Sequence, residues 1–237
     1  FFKRKASRNN KEKCYVLKAD IQKYFENVDH EILLSMIKKR VSDKRIIWLI
    51  RKILANSSSQ GRGMPLGNLT SQFFANVYLN YFDWFVKTKL KAKYYIRYVD
   101  DFVIFERDKR QLEFYKDEIN IFLKNELNIQ LHPYKSKILR LGNTINFLGF
   151  RVFYYHKLLK KSNIRKMKQK LKSLAQKCKL HEVDYDSVYD FLEGWIAYAK
   201  NANAYELRRK IVAEFEKDFA NDISTKEINR YLKMKKK

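Results

Sequence analysis

Cysteine, proline and glycine are all scarce in this chain. Only two cysteines, two prolines and six glycines occur among its 237 residues. Cys14 and Cys178 are far apart and lack CxxC spacing, which excludes a disulfide framework and a cysteine zinc site. No histidine has a second His or Cys at ligand spacing. So little glycine and proline leaves no room for linkers or low-complexity tracts, which predicts an ordered chain.

Long apolar runs are also absent. No run approaches the roughly 18 to 20 residues that span a bilayer, and no signal-peptide pattern opens the chain. We therefore expect no membrane partner and a cytoplasmic location.

Acidic residues are outnumbered almost two to one. Lys and Arg total 51 against 26 Asp and Glu, which gives a net charge of +25. Such an excess predicts a polyanionic partner. Nucleic acid is the first candidate, because each neutralised phosphate releases counterions. An anionic membrane surface is the second, but we expect nucleic acid to be the partner.

The first half of the chain alternates predicted strands and helices. CYVLKADI predicts a strand that ends near Asp20, and a helix follows from the N-cap Asp29. KRIIWLIRKIL predicts a second helix, and residues 57–68 predict a loop, since glycine and serine concentrate there. Residues 69–90 are apolar on nearly every side, which predicts a buried central helix.

The next elements complete a mixed fold. Residues 93–106 predict two strands joined at Asp100 and Asp101, and residues 116–128 an amphipathic helix. INFLGFRVFYYHKLL predicts another hairpin in which Gly149 is a close-approach or a bulge position. This order predicts an α+β fold, an antiparallel sheet with helices on one face.

From Lys157 the composition changes. Residues 157–179 contain ten basic residues and no acidic one, with apolar residues recurring every three or four positions. A helix with one apolar face and a cationic remainder is predicted. A solvated surface is the ordinary interpretation of such charge, but repulsion between the lysines favours a bound polyanion. Two further helices follow, so we place a domain boundary near residue 156.

Three aspartates are the candidate chemical centre. Asp100 and Asp101 at a turn between apolar strands indicate, by themselves, only a solvated turn. Asp20 also ends an apolar strand, so two strands can bring carboxylates to one hard cation such as Mg²⁺. A basic protein with such a site suggests phosphoryl or nucleotidyl transfer.

Five segments between residues 14 and 155 resemble, in order, the motifs of reverse transcriptases. They are LKADIQKYFENVDH, GMPLGNLTSQFFANVYLNYFD, RYVDDFVIF, LHPYKSKI and INFLGF. The resemblance implies an RNA-directed DNA polymerase that uses an RNA template, a DNA primer and dNTPs, with an accessory protein as a further partner. It implies two Mg²⁺ ions, with Mn²⁺ as a substitute. The metal ligands would be Asp20, Asp100, the supporting acid Asp101 and the backbone carbonyl of Ile21.

The resemblance also assigns roles around the metals. It makes Lys135 the proton donor to pyrophosphate, with Lys137 as competitor, and Phe25 the ring that excludes ribonucleotides, with core packing as the alternative. Leu66, Gly67 and Gln72 would contact the nucleotide. Primer and template contacts would come from Phe147, Leu148, Gly149, Arg165, Lys166, Lys170 and Lys177.

Two departures from the family pattern narrow this expectation. Most members carry Gln-Gly followed by Ser-Pro in the second motif, whereas Leu66 and Gln72 stand here in place of that Gln and Pro. This resembles the reverse transcriptases of diversity-generating retroelements, which implies error-prone copying and a bacterial or phage origin. Group II intron and phage-defence enzymes, and a non-catalytic RNA-binding scaffold of the same fold, are the alternatives.

The domain expectations follow from the same resemblance. Residues 1–13 would be a basic remnant of the fingers, 14–156 the palm and 157–237 a helical thumb. Because few residues precede Asp20, we expect the fingers to be largely missing and the chain alone to polymerise poorly.

Overall fold

The computed structural model describes residues 1–56, 61–65, 67–142, 144–219 and 222–227. The backbone divides into two compact units, Phe1–Asn143 and Thr144–Lys237. The boundary expected near residue 156 falls inside the second unit.

An antiparallel sheet of four strands organises the first unit. Its strands are β1 (Tyr15–Asp20), β2 (Tyr94–Tyr98), β3 (Asp101–Glu106) and β4 (Lys137–Arg140), in the order β2-β3-β1-β4. The predicted strand ending at Asp20 and the predicted pair meeting at Asp100 and Asp101 are confirmed. Strand β4, which follows Lys135, was not predicted.

The first unit also contains helices, which pack against this sheet or against one another. The predicted N-cap is confirmed, because the Asp29 carboxylate accepts hydrogen bonds from the backbone N–H groups of Glu31 and Ile32 at 3.0 and 3.1 Å. The predicted helix over residues 116–128 begins earlier, at Lys109. The helices are α1 (Phe2–Ala6), α2 (Tyr24–Asn27), α3 (His30–Lys38), α4 (Lys44–Ala55), α5 (Leu69–Trp84), which continues as a π-helical turn over Phe85–Lys89, and α6 (Lys109–Leu127).

Side-chain alternation gives the two faces of the sheet different roles. Leu17 and Ala19 of β1 and their partners Ile104 and Phe102 of β3 belong to the main core, with side chains from α3, α5 and α6. The intervening residues, which include Lys18, Asp20 and Asp101, therefore lie on the opposite face.

The short helix α1 covers part of that opposite face. It contacts β2 and β3, and the rings of Phe2 and Tyr94 lie 6.0 Å apart. Tyr94 pairs with Phe105 and so alternates with the core-facing Tyr95. The expectation of helices on one face holds for the larger helices, and α1 is an addition to it.

Helix α5 is confirmed, but its expected burial on nearly every side is wrong. Phe74, Tyr78 and Phe82 are buried, whereas Phe73 and Trp84 are 65% and 47% exposed. The reason is geometric, since α3, α6 and the sheet pack against one side of α5 and leave the other open. Apolar composition alone does not show which side is covered.

The second unit has its own sheet and core. Strands β5 (Ile145–Phe147), β6 (Phe150–Val152) and β7 (Lys157–Leu159) form an antiparallel sheet. The three predicted helices follow as α7 (Lys161–Lys179), α8 (Tyr185–Ala199) and α9 (Tyr205–Asp218). Its core includes Leu159, Met167, Val188, Trp195, Ile211 and Phe215. Within the described residues of both units, no helix is long and apolar enough to cross a membrane.

Candidate active site

The three predicted aspartates lie together at one end of the first sheet. Asp20 at the end of β1 is the register partner of Asp101 at the start of β3, and Asp100 occupies the turn just before β3. The backbone N–H of Ile21 donates to the carbonyl oxygen of Asp100 at 3.3 Å. The sheet register thus places the three aspartates at the same end of β1 and β3, with Asp100 in the turn.

The electrostatics of Asp100 reflect this crowding. Partial burial raises the pKa of its carboxyl above the ordinary value, and the charges of Asp20 and Asp101 raise it further. Lys135 acts in the opposite direction. A bound cation would relieve the repulsion between these carboxylates.

Two lysines contact the carboxylates. Lys135 Nζ lies 3.3 Å from both carboxylate oxygens of Asp20, and Lys18 Nζ lies 3.3 Å from Asp101 Oδ1. The competitor Lys137 lies in β4 opposite Lys18. Among the described residues, it forms no ion pair with Asp20 or Asp101. Lys18 was missed from the sequence, although its position two residues before Asp20 puts it on the same face.

The segment that leads into β4 holds the backbone of Asp20. The N–H of His132 donates to the Asp20 carbonyl at 2.7 Å. The buried Ser136 hydroxyl donates to that carbonyl and accepts from the Asp20 N–H, both at 3.4 Å. His132 and Ser136 were also missed, since their role is visible only once β4 pairs with β1.

The carboxylates of this site fit Mg²⁺ if substrate and water supply the rest of its ligands. No group of three or more His, Cys, Asp or Glu side chains in the described ranges is arranged to hold a metal ion. Mg²⁺, however, is usually held by one or two carboxylates together with substrate phosphates and water. Asp20 and Asp100 can supply these carboxylates, so the residues fit an ion that substrate helps to bind.

The predicted nucleotide residues are placed unevenly. Phe25 is half-buried against the main core, with its ring 5.4 Å from that of Tyr24, and its carbonyl accepts from the Met64 N–H at 2.8 Å. Gly67 has a φ of +83° and open space around it, and Gln72 is exposed on α5. Leu66 lies outside the described residues.

The predicted primer residues form the turn between β5 and β6 in the second unit. Leu148 is partly exposed at a φ of +49°, and Gly149 has a φ of +79°. A Cβ on Gly149 would collide with the Tyr198 hydroxyl and the Asn163 amide, which confirms the predicted close approach. This packing explains Gly149 without reference to a primer, so the primer contact stays a prediction.

Helix α7 presents the expected cationic surface. Arg165, Lys166, Lys170 and Lys177 are all exposed, and the apolar stripe faces the core of the second unit. The expectation that its positive charges are uncompensated is partly wrong. Lys177 lies 3.7 Å from Glu182, and Lys168 lies 3.6 Å from Glu214 on α9. These acidic partners lie beyond the helix in sequence.

Solved structures with a similar fold include telomerases. The telomerase of Candida albicans, in complex with a TWJ fragment of telomeric RNA, matches with a TM-score of 0.58 and 14% identity over 92% of this chain and 42% of that one. The corresponding Candida tropicalis complex matches with a TM-score of 0.56, also at 14% identity, over 91% and 42%. At such identity the likeness shows the fold alone. It agrees with the predicted α+β palm followed by a helical thumb.

Sequence relatives and a family model identify the family of this chain. Protein YkfC of Escherichia coli is 25% identical over 177 residues, covering 58% of this chain and 46% of that protein. The group II intron-encoded protein LtrA of Lactococcus lactis is 22% identical over 207 residues, covering 58% and 35%. The match thus spans less than half of each relative. The family model for reverse transcriptase (RNA-dependent DNA polymerase) matches residues 2–152. The chain belongs to the reverse transcriptase family, whose members use divalent metal ions.

Proposed function

We propose that the chain carries the polymerising centre of an RNA-directed DNA polymerase, which adds deoxynucleotides to a primer 3′ end. The observation that carries this is the register of Asp20 opposite Asp101, with Asp100 in the adjoining turn. Residues 14–156 would act as palm and 157–237 as thumb.

The side chains would divide the chemistry between them. Two bound divalent ions would lower the pKa of the primer 3′-hydroxyl and stabilise the leaving pyrophosphate. Asp20 and Asp100, with the carbonyl of Ile21, would hold these ions, and Asp101 would support them. Lys135, whose side chain is 55% exposed, reaches the Asp20 carboxylate and would donate a proton to pyrophosphate. The ion pair with Asp20 supports Lys135 over Lys137 in this role, because it brings Lys135 Nζ next to a proposed metal ligand.

Primer extension tests the proposal. The assay uses the full-length protein that contains these residues, a heteropolymeric RNA template, a DNA primer and Mg²⁺, with Asp20→Asn and Asp100→Asn as test variants. Each variant keeps side-chain size but loses a charge, so incorporation should fall at least about a hundredfold. The matched control is Asp117→Asn, an exposed aspartate on α6, which should leave the rate unchanged. Equal incorporation by all variants, or none by the unaltered protein, would contradict the proposal.

Two subclasses have separate support. Leu66 and Gln72 resemble the diversity-generating class, in which copying is error-prone at template adenines. An aliphatic Leu66 cannot hydrogen-bond a nucleotide, which should weaken geometric discrimination between correct and incorrect pairs. The likeness to LtrA supports a group II intron-like polymerase instead.

Sequencing of the cDNA products separates the subclasses. The diversity-generating proposal expects errors concentrated at template adenines, and it expects Leu66→Gln to reduce them. Errors spread evenly over the four template bases, with no effect of that substitution, would favour the group II intron-like alternative.

A further inference from the structure

A largely buried ion pair lies next to the turn that carries the aspartates. Asp83, near the C-terminal end of α5, pairs with Arg97 of β2 in a two-pronged contact, with Nε–Oδ1 at 2.8 Å and Nη2–Oδ2 at 2.6 Å. Only 9% of the Arg97 side chain is exposed. The Tyr95 hydroxyl also donates to Asp83 Oδ1 at 2.6 Å. The guanidinium is therefore held in one orientation.

Stability alone is a weak explanation for this pair. Removing two charges from water costs about as much as their attraction returns, so an apolar pair of similar volume often serves a core equally well. Arg97 pairs with Phe102 in the sheet and so lies on the face that packs against the helices. A charged pair at such a place suggests a task beyond filling the core.

The third guanidinium nitrogen of Arg97, Nη1, contacts the turn that carries Asp100. Arg97 Nη1 donates to the carbonyl oxygen of Val99 at 2.9 Å, with Asn76 Oδ1 more distant at 3.4 Å. Val99 has a φ of +54°, a conformation that is strained for a β-branched residue. A residue in such a conformation is maintained by its surroundings, and Arg97 supplies a direct hydrogen bond.

The geometry of the peptide bond transmits this hydrogen bond to Asp100. The Val99 carbonyl and the Asp100 nitrogen belong to one planar unit. The next carbonyl, that of Asp100, accepts from the Ile21 N–H at 3.3 Å. Both peptide planes that flank Asp100 are thus fixed, one by Arg97 and the other by β1. These two planes fix the direction of the Asp100 Cα–Cβ bond, from which the carboxylate extends.

We infer that Arg97, oriented by Asp83, is a positioning residue that holds the Asp100 backbone through the Val99 carbonyl and so places the Cα–Cβ bond from which the carboxylate reaches the site. This inference rests on the proposed function. It assigns Arg97 no contact with substrate or metal.

Arg97→Lys is the test variant, because it keeps the positive charge beside Asp83 and loses the planar fork. The matched control is Arg51→Lys. Arg51 makes a similar two-pronged contact with Glu31 at 2.7 and 3.3 Å, between helices that carry none of the three aspartates. Asp83→Glu is a second test variant, which keeps the charge pair but displaces the guanidinium.

Four quantities are measured for each full-length variant. They are the Mn²⁺ affinity by electron paramagnetic resonance with primer-template and incoming nucleotide present, the single-turnover rate constant kpol, its burst amplitude, and the melting temperature. Arg97→Lys and Asp83→Glu should each weaken Mn²⁺ binding and lower kpol by about tenfold, the usual effect of losing a residue that orients a ligand. Arg51→Lys should change neither. A purely structural role would instead lower the burst amplitude and melting temperature, and would leave kpol and Mn²⁺ affinity unchanged.

A rescue variant adds a readout that loss of folding cannot imitate. Glycine adopts positive φ without steric cost, so Val99→Gly combined with Arg97→Lys should recover part of the lost kpol and Mn²⁺ affinity. Unchanged Mn²⁺ affinity in both test variants, or no Mn²⁺ binding by the unaltered protein, would overturn the inference. If the unaltered protein binds Mn²⁺ but extends no primer, the proposed function fails while the Mn²⁺ comparison still decides the role of Arg97.

Discussion

Asp20 has a lysine partner, Lys135, that a metal ion and a nucleotide would displace in the proposed function. The Asp20 side chain is 13% exposed, but its partner Lys135 is 55% exposed. An ion pair with one well-exposed partner contributes only about 0–1 kcal/mol, because solvent screens it and holding a long side chain costs entropy. Lys135 can therefore leave Asp20 at little cost, and in the proposed function it would meet the phosphates instead.

Phe25 gives a residue-scale prediction. If its ring blocks the ribose 2′-hydroxyl, Phe25→Val should raise the use of ribonucleotides relative to deoxynucleotides by at least about tenfold, because the steric exclusion is removed. Competitive single-nucleotide incorporation measures this ratio.

Phe85→Val is the matched control for Phe25. Phe85 is also partly buried against the main core, but it stacks on Phe122 with ring centroids 4.1 Å apart, on the helix side of the sheet. The Phe85→Val substitution should lower the stability of the protein without altering the ratio of ribonucleotide to deoxynucleotide use. An unchanged ratio in both variants would leave Phe25 with core packing alone.

At the scale of elements, local pattern was sufficient where one face of an element is buried. The three- and four-residue spacing in α7 predicted a helix and the side it buries, and the alternation in β1 predicted a strand. Strand β4 is only four residues long and its side chains are half-buried or exposed, so it carries no strong alternation. The exposed side of α5 depends on which helices pack against it, which no local pattern contains.

The turn between β5 and β6 gives an element-scale prediction. Gly149→Ala should destabilise the protein by about 1–3 kcal/mol, because alanine is strained at positive φ and its Cβ meets Tyr198 and Asn163. Gly194→Ala is the opposite control, since Gly194 is an exposed glycine of α8 with open space around it. There alanine should stabilise by about 0.5–1 kcal/mol. Urea unfolding measures both, and equal changes would contradict the account.

Helix α7 gives a second element-scale prediction. Replacing Lys166, Lys170 and Lys177 by Gln should reduce the salt dependence of binding to an RNA–DNA duplex, with the slope of log K against log salt falling by about 2 to 3. Lys177 should contribute least, because Glu182 already lies 3.7 Å away. Fluorescence anisotropy over a range of salt concentrations measures the slope.

The control for α7 removes the same number of charges elsewhere. Lys39, Lys44 and Lys124 are exposed residues at the end of α3, on α4 and on α6. Their replacement by Gln should leave the slope nearly unchanged. Equal effects of the two triple substitutions would show that α7 is an ordinary solvated surface.

For the whole molecule, charge and motif order were the strongest sequence signals. A net charge of +25 indicated a polyanionic partner, and five ordered motifs indicated the family before the sheet register was known. The contacts of Ser136, His132 and Arg97 were not predictable, because they depend on pairings between segments that are apart in sequence. Lys18 did have a local signal, its position two residues before Asp20. Ser136 and His132 contact the backbone of Asp20, and Arg97 contacts the backbone of Val99.

The central claim is that two strands of one sheet bring Asp20 and Asp100 to a shared divalent-ion site. Fe²⁺ in place of Mg²⁺, with ascorbate and peroxide, cleaves a protein backbone beside the bound ion. With primer-template and an incoming nucleotide present, since phosphates complete the coordination, the account predicts cleavage near residues 20 and 100. It predicts loss of both products in Asp100→Asn and their retention in Asp117→Asn. Cleavage elsewhere, or the same cleavage in Asp100→Asn, would contradict it.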